Sequence, residues 1–530
     1  MNKGIALILA VAFFLRIYNI GFPPLSADEA RITFRGYTLA NVGKDELGRT
    51  LPILFNSLTD YQLPAVSYLT SLGVIFFGKS DLGVRIPFIL IGVGLIFLIY
   101  KIAQILSPKR EFWILSALVV AFSPGLIFLS KIPNESILLT FMITLLFYLL
   151  TIAKVNLVSV LAVIILSLLT SKLAWFLIPP FVFLTLMFFQ VNLSGKFKIN
   201  LSILCLLFSL AALGLFLQVP QSQRSLSENN FPIFSDITIK NGIDKLRGQG
   251  IEAGWSPSLA RLLFNKSHYL TVGFFHWMAH LQPAFYFGQF DAKGEHGFMS
   301  MGAWSKITLI PFFLGLVYLV NKGTTKEGLL ILYFLVLTFP LLFIYPKYNQ
   351  SILAITLPFM SIVVVFGLMN INQALMRVVI GLIIFEVIIN LLYLKPETKN
   401  AQGIRPDWIR PIVADGYVLS QKDRVAFSDN IISDIVPFLE WYTQIDPKDS
   451  FFDIPSPYKF RQTQISDSLK VIGSDNNFYN CGLDKPTYIF ASKRDLEKIQ
   501  KAEKVSVNKV YKDSLGSEVA YLLPSVICVK

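Results

Sequence analysis

Apolar residues in this chain come in long unbroken runs, without the short in-and-out rhythm of a soluble helix or strand. A bilayer core about 30 Å thick takes roughly 20 apolar helical residues to span. Eleven runs approach that length: 4–20, 85–106, 112–129, 136–153, 157–170, 172–190, 201–219, 303–320, 328–345, 351–370 and 378–394. The fifth and sixth form one stretch interrupted only by Thr170-Ser171-Lys172. The first run follows Lys3 as a signal peptide would. It lacks a small-residue cleavage site and continues into Arg16-Ile17-Tyr18, so it reads as an uncleaved anchor. Three segments fall outside this pattern: 21–84, 220–302 and a polar tail, 395–530. The expected architecture is therefore an α-helical polytopic membrane domain over 1–394 with a small α/β domain over 395–530.

Composition agrees. The 530 residues are 54% hydrophobic and 15% charged, well below the roughly 25% charge of soluble domains. Disorder needs the opposite balance. The net charge of +13 lies almost wholly in the apolar part, where 28 Lys and Arg face 16 Asp and Glu; the tail holds 19 and 18. No polar basic run offers a nucleic-acid arm. With the N-terminus inside, the inner segments carry nine basic residues and the short outer loops three (Lys131, Lys172 and Lys347). The positive-inside rule selects this orientation, and the membrane expected for such a chain is the plasma membrane. Eleven crossings then put the tail outside, together with loops 21–84 and 220–302. Three cysteines and no C-x-x-C make neither a disulfide scaffold nor a zinc site. Cys481 and Cys528 share the tail and are available to pair in an oxidising compartment, whereas Cys205 lies in an apolar run.

Candidate chemistry concentrates on the outer face. Ser26-Ala27-Asp28-Glu29 has the form of a capping box before a helix reaching about Val42; on spacing alone, its acids simply complement a helix dipole. Leu63 to Gly78 is apolar but short and opens with Pro64, which suits a helix lying in the membrane interface. Arg31, Arg85 and Lys131 are outer-face cations, with snorkelling to headgroups as the plain alternative. All four histidines sit in loop 220–302. His276 and His280 have a ligand-like i, i+4 spacing, but the aromatic run around them favours an interfacial helix over a metal site. Glu386, deep in the last run, is costly in lipid and is either functional or paired between helices. The tail predicts strands at 424–428, 487–492, 505–511 and 518–523 and helices at 432–443 and 494–502. The chain contains no GxGxxG and no Walker A loop.

The run Pro23-Pro24-Leu25-Ser26-Ala27-Asp28-Glu29-Ala30, followed by Gly43-Lys44-Asp45-Glu46-Leu47-Gly48 and Asp60-Tyr61, resembles the first outer loop of bacterial protein-mannosyltransferase-like enzymes. These group with glycosyltransferase family 39 and the aminoarabinose transferases, in the GT-C fold. The similarity continues at Tyr68-Leu69, Phe77-Gly78, Val84-Arg85-Ile86-Pro87, Ser123-Pro124, Glu135, Asn265-Lys266, Asp291, His296 and Val425-Ala426-Phe427-Ser428-Asp429.

The resemblance implies a sugar donor linked to a polyprenyl phosphate, used with inversion to glycosylate an extracytoplasmic acceptor (protein, lipid or glycan). It casts Asp28 as general base and Glu29 as its neighbour. Arg31, Arg85 and Lys131 are cast as donor-phosphate contacts, and Asp60, Glu135, Asp291 and His296 as substrate contacts. Some relatives hold a divalent metal near the acidic loop; nothing in this sequence requires one. The partners implied are donor, acceptor and membrane lipids, with no nucleic acid. The chain also departs from the family pattern. Gln62 stands where a Lys is usual, Gly125 and Leu126 where Trp and His follow Ser-Pro, Lys131 in place of an Arg, and Tyr348-Asn349-Gln350 where His and Arg often occur. Two rival readings are a lipid or glycan transporter and a catalytically inactive relative serving as a binding subunit.

Overall fold

The computed structural model describes residues 3–46, 48–56, 61–152, 156–189, 194–217, 233, 236–265, 267–288, 302–323, 325–342, 350–392, 405–423, 425–428, 430–432, 435–443, 462–466, 469–472, 488–502 and 506–524. From the N-terminus come α1 (Lys3–Ile17), α2 (Ala27–Val42), the short antiparallel pair β1 (Phe55–Asn56) and β2 (Tyr61–Gln62), α3 (Pro64–Phe77) and α4 (Asp81–Leu106). Then follow α5 (Arg110–Ala121), α6 (Pro124–Ser130), α7 (Glu135–Thr151), α8 (Leu157–Leu168), α9 (Ala174–Phe189) and α10 (Gly195–Leu217).

Among the described residues three helices are long and apolar enough to cross a membrane: Asp81–Leu106, Gly195–Ala212 and Gln373–Leu392. A fourth candidate is the pair Arg110–Ala121 and Pro124–Ser130, which is apolar enough when taken together, and the expected count of eleven crossings is not confirmed among the described residues. The reason lies in local breaks that apolarity alone does not reveal. The expected crossing at 112–129 is two helices, α5 and α6, bent by 60°. Pro124 lacks an N–H and drives the residue before it out of helical conformation. Ser123 is accordingly extended (φ −76°, ψ 114°) and caps α6 through its side chain. The break expected at Thr170-Ser171-Lys172 does separate α8 from α9, and the Trp175 indole donates to the Leu168 carbonyl across it (3.0 Å). The short apolar segment that opens with Pro64 is a 14-residue helix with Pro64 in its first turn. At 1.5 Å per residue it rises about 21 Å, short of a crossing. Val66, Thr70 and Val74 pack inward while Leu72, Ile75 and Phe76 face out.

Small residues set the helix spacing. In the helices Leu309–Lys322 and Gln350–Leu368, a Cβ on Gly315 would run into the Val363 carbonyl, and one on Gly367 into that of Pro311. Backbones this close are a common packing mode between membrane helices.

The tail contributes the helices Ile409–Ser420, Val436–Tyr442 and Lys493–Ala502 and the strands β3 (Val425–Ser428), β4 (Gln462–Ser466), β5 (Leu469–Ile472), β6 (Tyr488–Ala491), β7 (Lys509–Lys512) and β8 (Glu518–Pro524). They form one sheet in the order β4-β5-β3-β6-β8-β7, with β3 parallel to both β5 and β6 and the remaining pairs antiparallel. The helix Ile409–Ser420, β4 and β5 are additions to the sequence expectation. The expected boundary at 394, like Cys481 and Cys528, lies outside the described residues.

This sheet domain does not stand apart. Leu25, Ala30, Val74 and Val84 from loop 21–84 share one hydrophobic core with Trp408, Ile409, Ile412, Phe438, Leu439 and Trp441 from the tail. Loop 21–84 and the tail therefore lie on the same side of the helical domain.

Candidate active site

Loop 21–84 is built around the N-terminus of α2. Ser26 is extended (φ −79°, ψ 168°), its hydroxyl accepts from the Glu29 N–H, and the Glu29 carboxylate accepts from the Ser26 N–H (each 3.3 Å). The sequence-predicted capping box is thus complete, and the helix ends, as expected, at Val42 with Gly43 in the left-handed region (φ 69°).

The adjacent acids then separate in role. Glu29 is buried, and Arg405 of the tail grips it with both terminal nitrogens, at 2.7 Å to Oε2 and 2.5 Å to Oε1. Asp28, one residue earlier, keeps its side chain 76% exposed and accepts from Arg31 at 3.1 Å, the Arg31 side chain being 13% exposed. An exposed pair of this kind contributes little to stability, about 0–1 kcal/mol. The available carboxylate of the pair is therefore Asp28.

The loop that brings the chain to this point is held by cations. After α1 the chain turns through Asn19 (φ 48°), a residue type that tolerates the left-handed region. Lys131 donates to the carbonyls of Tyr18 (2.7 Å) and Asn19 (3.2 Å), and Arg85 to those of Ile20 and Pro23 (2.5 Å each). Arg16 donates to Ala12 (3.1 Å) and Ala121 (3.4 Å). All three side chains are fully buried. Positive groups on carbonyls just past a helix C-terminus satisfy orphan acceptors and oppose the negative end of the dipole. In this structure Arg85 and Lys131 thus hold the 18–23 backbone.

Further along the loop, Arg35 is buried with its guanidinium 2.5 Å from Glu46 and 2.6 Å from the Gln62 amide oxygen, over the Phe55 ring. Gln62 is thus joined to an Arg of α2. Buried Asp45 accepts from the Arg49 backbone and guanidinium, both at 2.8 Å. Beside this network lies an apolar groove of about 410 Å³, lined among others by Pro52, Tyr68, Leu72, Leu138, Met142 and Leu169.

Other expected residues fall as follows. Glu135 opens α7 behind its Asn134 cap and is exposed. Ser123-Pro124-Gly125 docks on the chain just after loop 220–302: the Ser123 hydroxyl and the Gly125 N–H both donate to the Ala303 carbonyl (2.8 and 3.1 Å). Glu386 accepts from the Ser305 hydroxyl and from the Lys306 N–H (3.4 Å). His276 and His280 lie inward on the helix Ser267–His280, while Phe275 and Met278 face out. Burial pushes His280 down to about 4. Among the described residues no three His, Cys, Asp or Glu side chains lie together as a metal site would need. Asp60, Asp291 and His296 lie outside the described residues.

Arg405, Arg35 and Lys79 were not singled out from the sequence. Lys79, just after α3, donates to the tail carbonyls of Glu440 (3.3 Å) and Thr443 (2.7 Å) beneath the Tyr37 and Trp441 rings. No local motif marks these residues; the one available signal is a basic residue, Arg405, soon after the last apolar run.

No family model and no curated protein matches the chain. Among solved structures it is similar to ArnT from Cupriavidus metallidurans in the apo state, with a TM-score of 0.44 and 11% identity over 98% of this chain and 97% of that chain. The same figures hold for that ArnT bound to undecaprenyl phosphate. The oligosaccharyltransferase of Archaeoglobus fulgidus in the apo form is similar at a TM-score of 0.41 and 14% identity, over 86% of this chain and 61% of that chain.

Proposed function

We propose that this chain is a membrane glycosyltransferase of the GT-C class. It moves a sugar from a polyprenyl-phosphate carrier to an extracytoplasmic acceptor, with inversion at the anomeric carbon and Asp28 as general base. The acceptor hydroxyl oxygen attacks the anomeric carbon as the bond to the carrier phosphate breaks. The proton passes to Asp28, and the phosphate departs with the bonding electron pair. A carboxylate within about 3 Å of the attacking hydroxyl is the geometry such a step needs. Arg31, beside Asp28, meets the departing phosphate, where a charge-assisted contact is worth most. Arg85 and Lys131, with their donors on loop carbonyls, hold the backbone that leads into α2. Glu135, Asp60, Asp291 and His296 remain the proposed substrate contacts, and the apolar groove suits a prenyl chain.

One observation carries this reading. Of two adjacent acids at a helix N-terminus, one is consumed in a buried ion pair and the other is left accessible beside an arginine. The test uses full-length protein in nanodiscs with a panel of undecaprenyl-phosphate-linked hexoses and aminopentoses, and measures undecaprenyl phosphate released. Asp28→Asn should keep the fold and lose at least about 10²-fold in turnover, the usual weight of a general base. Wild-type turnover in that variant would sink the assignment.

A further inference from the structure

The C-terminal domain reaches the acidic loop through one side chain whose surroundings are unlike those of an ordinary docking residue. Arg405 is 5% exposed and Glu29 7%, as side chains. Beyond its two bonds to Glu29, Arg405 donates to the Pro24 carbonyl at 2.7 Å and lies 5.3 Å over the Phe128 ring of α6. It therefore touches the strand of chain entering α2, the third residue of α2 and the bent helix pair at once. A planar guanidinium with fixed, forked donors fits such a junction in a way that an ammonium does not. Glu29 is also the reciprocal half of the capping box, so the carboxylate Arg405 holds is the one that holds the Ser26 N–H. Asp28 lies between the two capped residues.

We infer that Arg405 is a positioning residue: the extracytoplasmic domain sets the orientation of Asp28 by clamping Glu29. The inference rests on the reading of Asp28 as the base. It gives the domain a part in the chemistry that its sequence alone does not. The other docking contacts serve as an internal control. Lys79 holds the same domain through the Glu440 and Thr443 carbonyls without touching Glu29.

The experiment compares Arg405→Gln, Arg405→Lys, Lys79→Met and Asp28→Asn in full-length protein in nanodiscs. It reads undecaprenyl phosphate release from the same donor panel and hydrogen exchange of the α2 amides. Arg405→Gln should lower kcat at least tenfold with donor KM changed less than threefold, and raise exchange of the first-turn amides of α2 about tenfold. Arg405→Lys should recover part of both losses, because one donor still reaches Glu29. Lys79→Met should lower the melting temperature yet leave kcat and first-turn exchange near wild type at a permissive temperature. If Arg405→Gln keeps kcat within twofold while Asp28→Asn abolishes release, the positioning role fails and the base stands. If Lys79→Met loses as much as Arg405→Gln, general docking explains the effect and the inference is overturned. If Asp28→Asn turns over normally, the base assignment falls. Exchange then judges the clamp by itself, with unchanged first-turn protection in Arg405→Gln refuting it.

Discussion

Neighbouring residues of one chemical type carry different burdens here. Asp28 and Glu29 are indistinguishable by composition and adjacent in sequence, yet only Glu29 finds a buried guanidinium, 376 positions away. Breaking such a pair from one side strands a charge and costs about 3–5 kcal/mol, so a Glu29 variant will mix folding and function where an Asp28 variant will not. Lys79 gives the clearest pH signature. Burial lowers its ammonium from 10.5 to about 8, against the opposing charge of Glu440. Below pH 8 both folded and unfolded chains hold the proton. Between about 8 and 10.5 the unfolded chain binds more protons, so this residue's contribution to stability rises with pH and then levels. Thermal melts in detergent between pH 7 and 9.5 should show wild type gaining on Lys79→Met as pH increases. A constant difference would show that the group does not titrate there.

Among the elements, helix starts were largely legible and helix breaks less so. The capping box of α2 and the proline opening α3 act over three or four residues, and both helices begin where those signals lie. The bend between α5 and α6 was missed even though Ser123-Pro124 is visible, because an apolar count does not register a missing N–H. Helix contact distance was not legible at all. The glycines that let Leu309–Lys322 and Gln350–Leu368 touch are 52 residues apart, and each would clash through a Cβ with the other helix's backbone. Gly315→Leu or Gly367→Leu should destabilise the domain by at least about 1–3 kcal/mol. Even Ala should be unfavourable there, despite the roughly 1 kcal/mol it gains in helix propensity. Denaturant or thermal unfolding in detergent measures both, and an Ala variant as stable as wild type would contradict the close crossing.

For the whole molecule, the decisive feature is the core shared by loop 21–84 and the tail. Cutting the chain at 394 would uncover Leu25, Val74 and Val84, at roughly 1.5–3 kcal/mol for each large aliphatic side chain exposed. The truncated protein should be cleaved by protease within 21–84 under conditions where the full chain is resistant; equal resistance would show that the loop folds unaided. Hydrophobic runs, caps and turn residues determined by themselves that the chain is a helical membrane protein with a polar α/β tail, and where its acids sit on α2. These are properties of short stretches, set by local backbone sterics and by the cost of putting polar groups in lipid. Which acid stays open, which cations hold the backbone, and that the tail completes the loop were decided only in three dimensions. Those outcomes depend on burial and on partners hundreds of residues apart, and no local spacing encodes them.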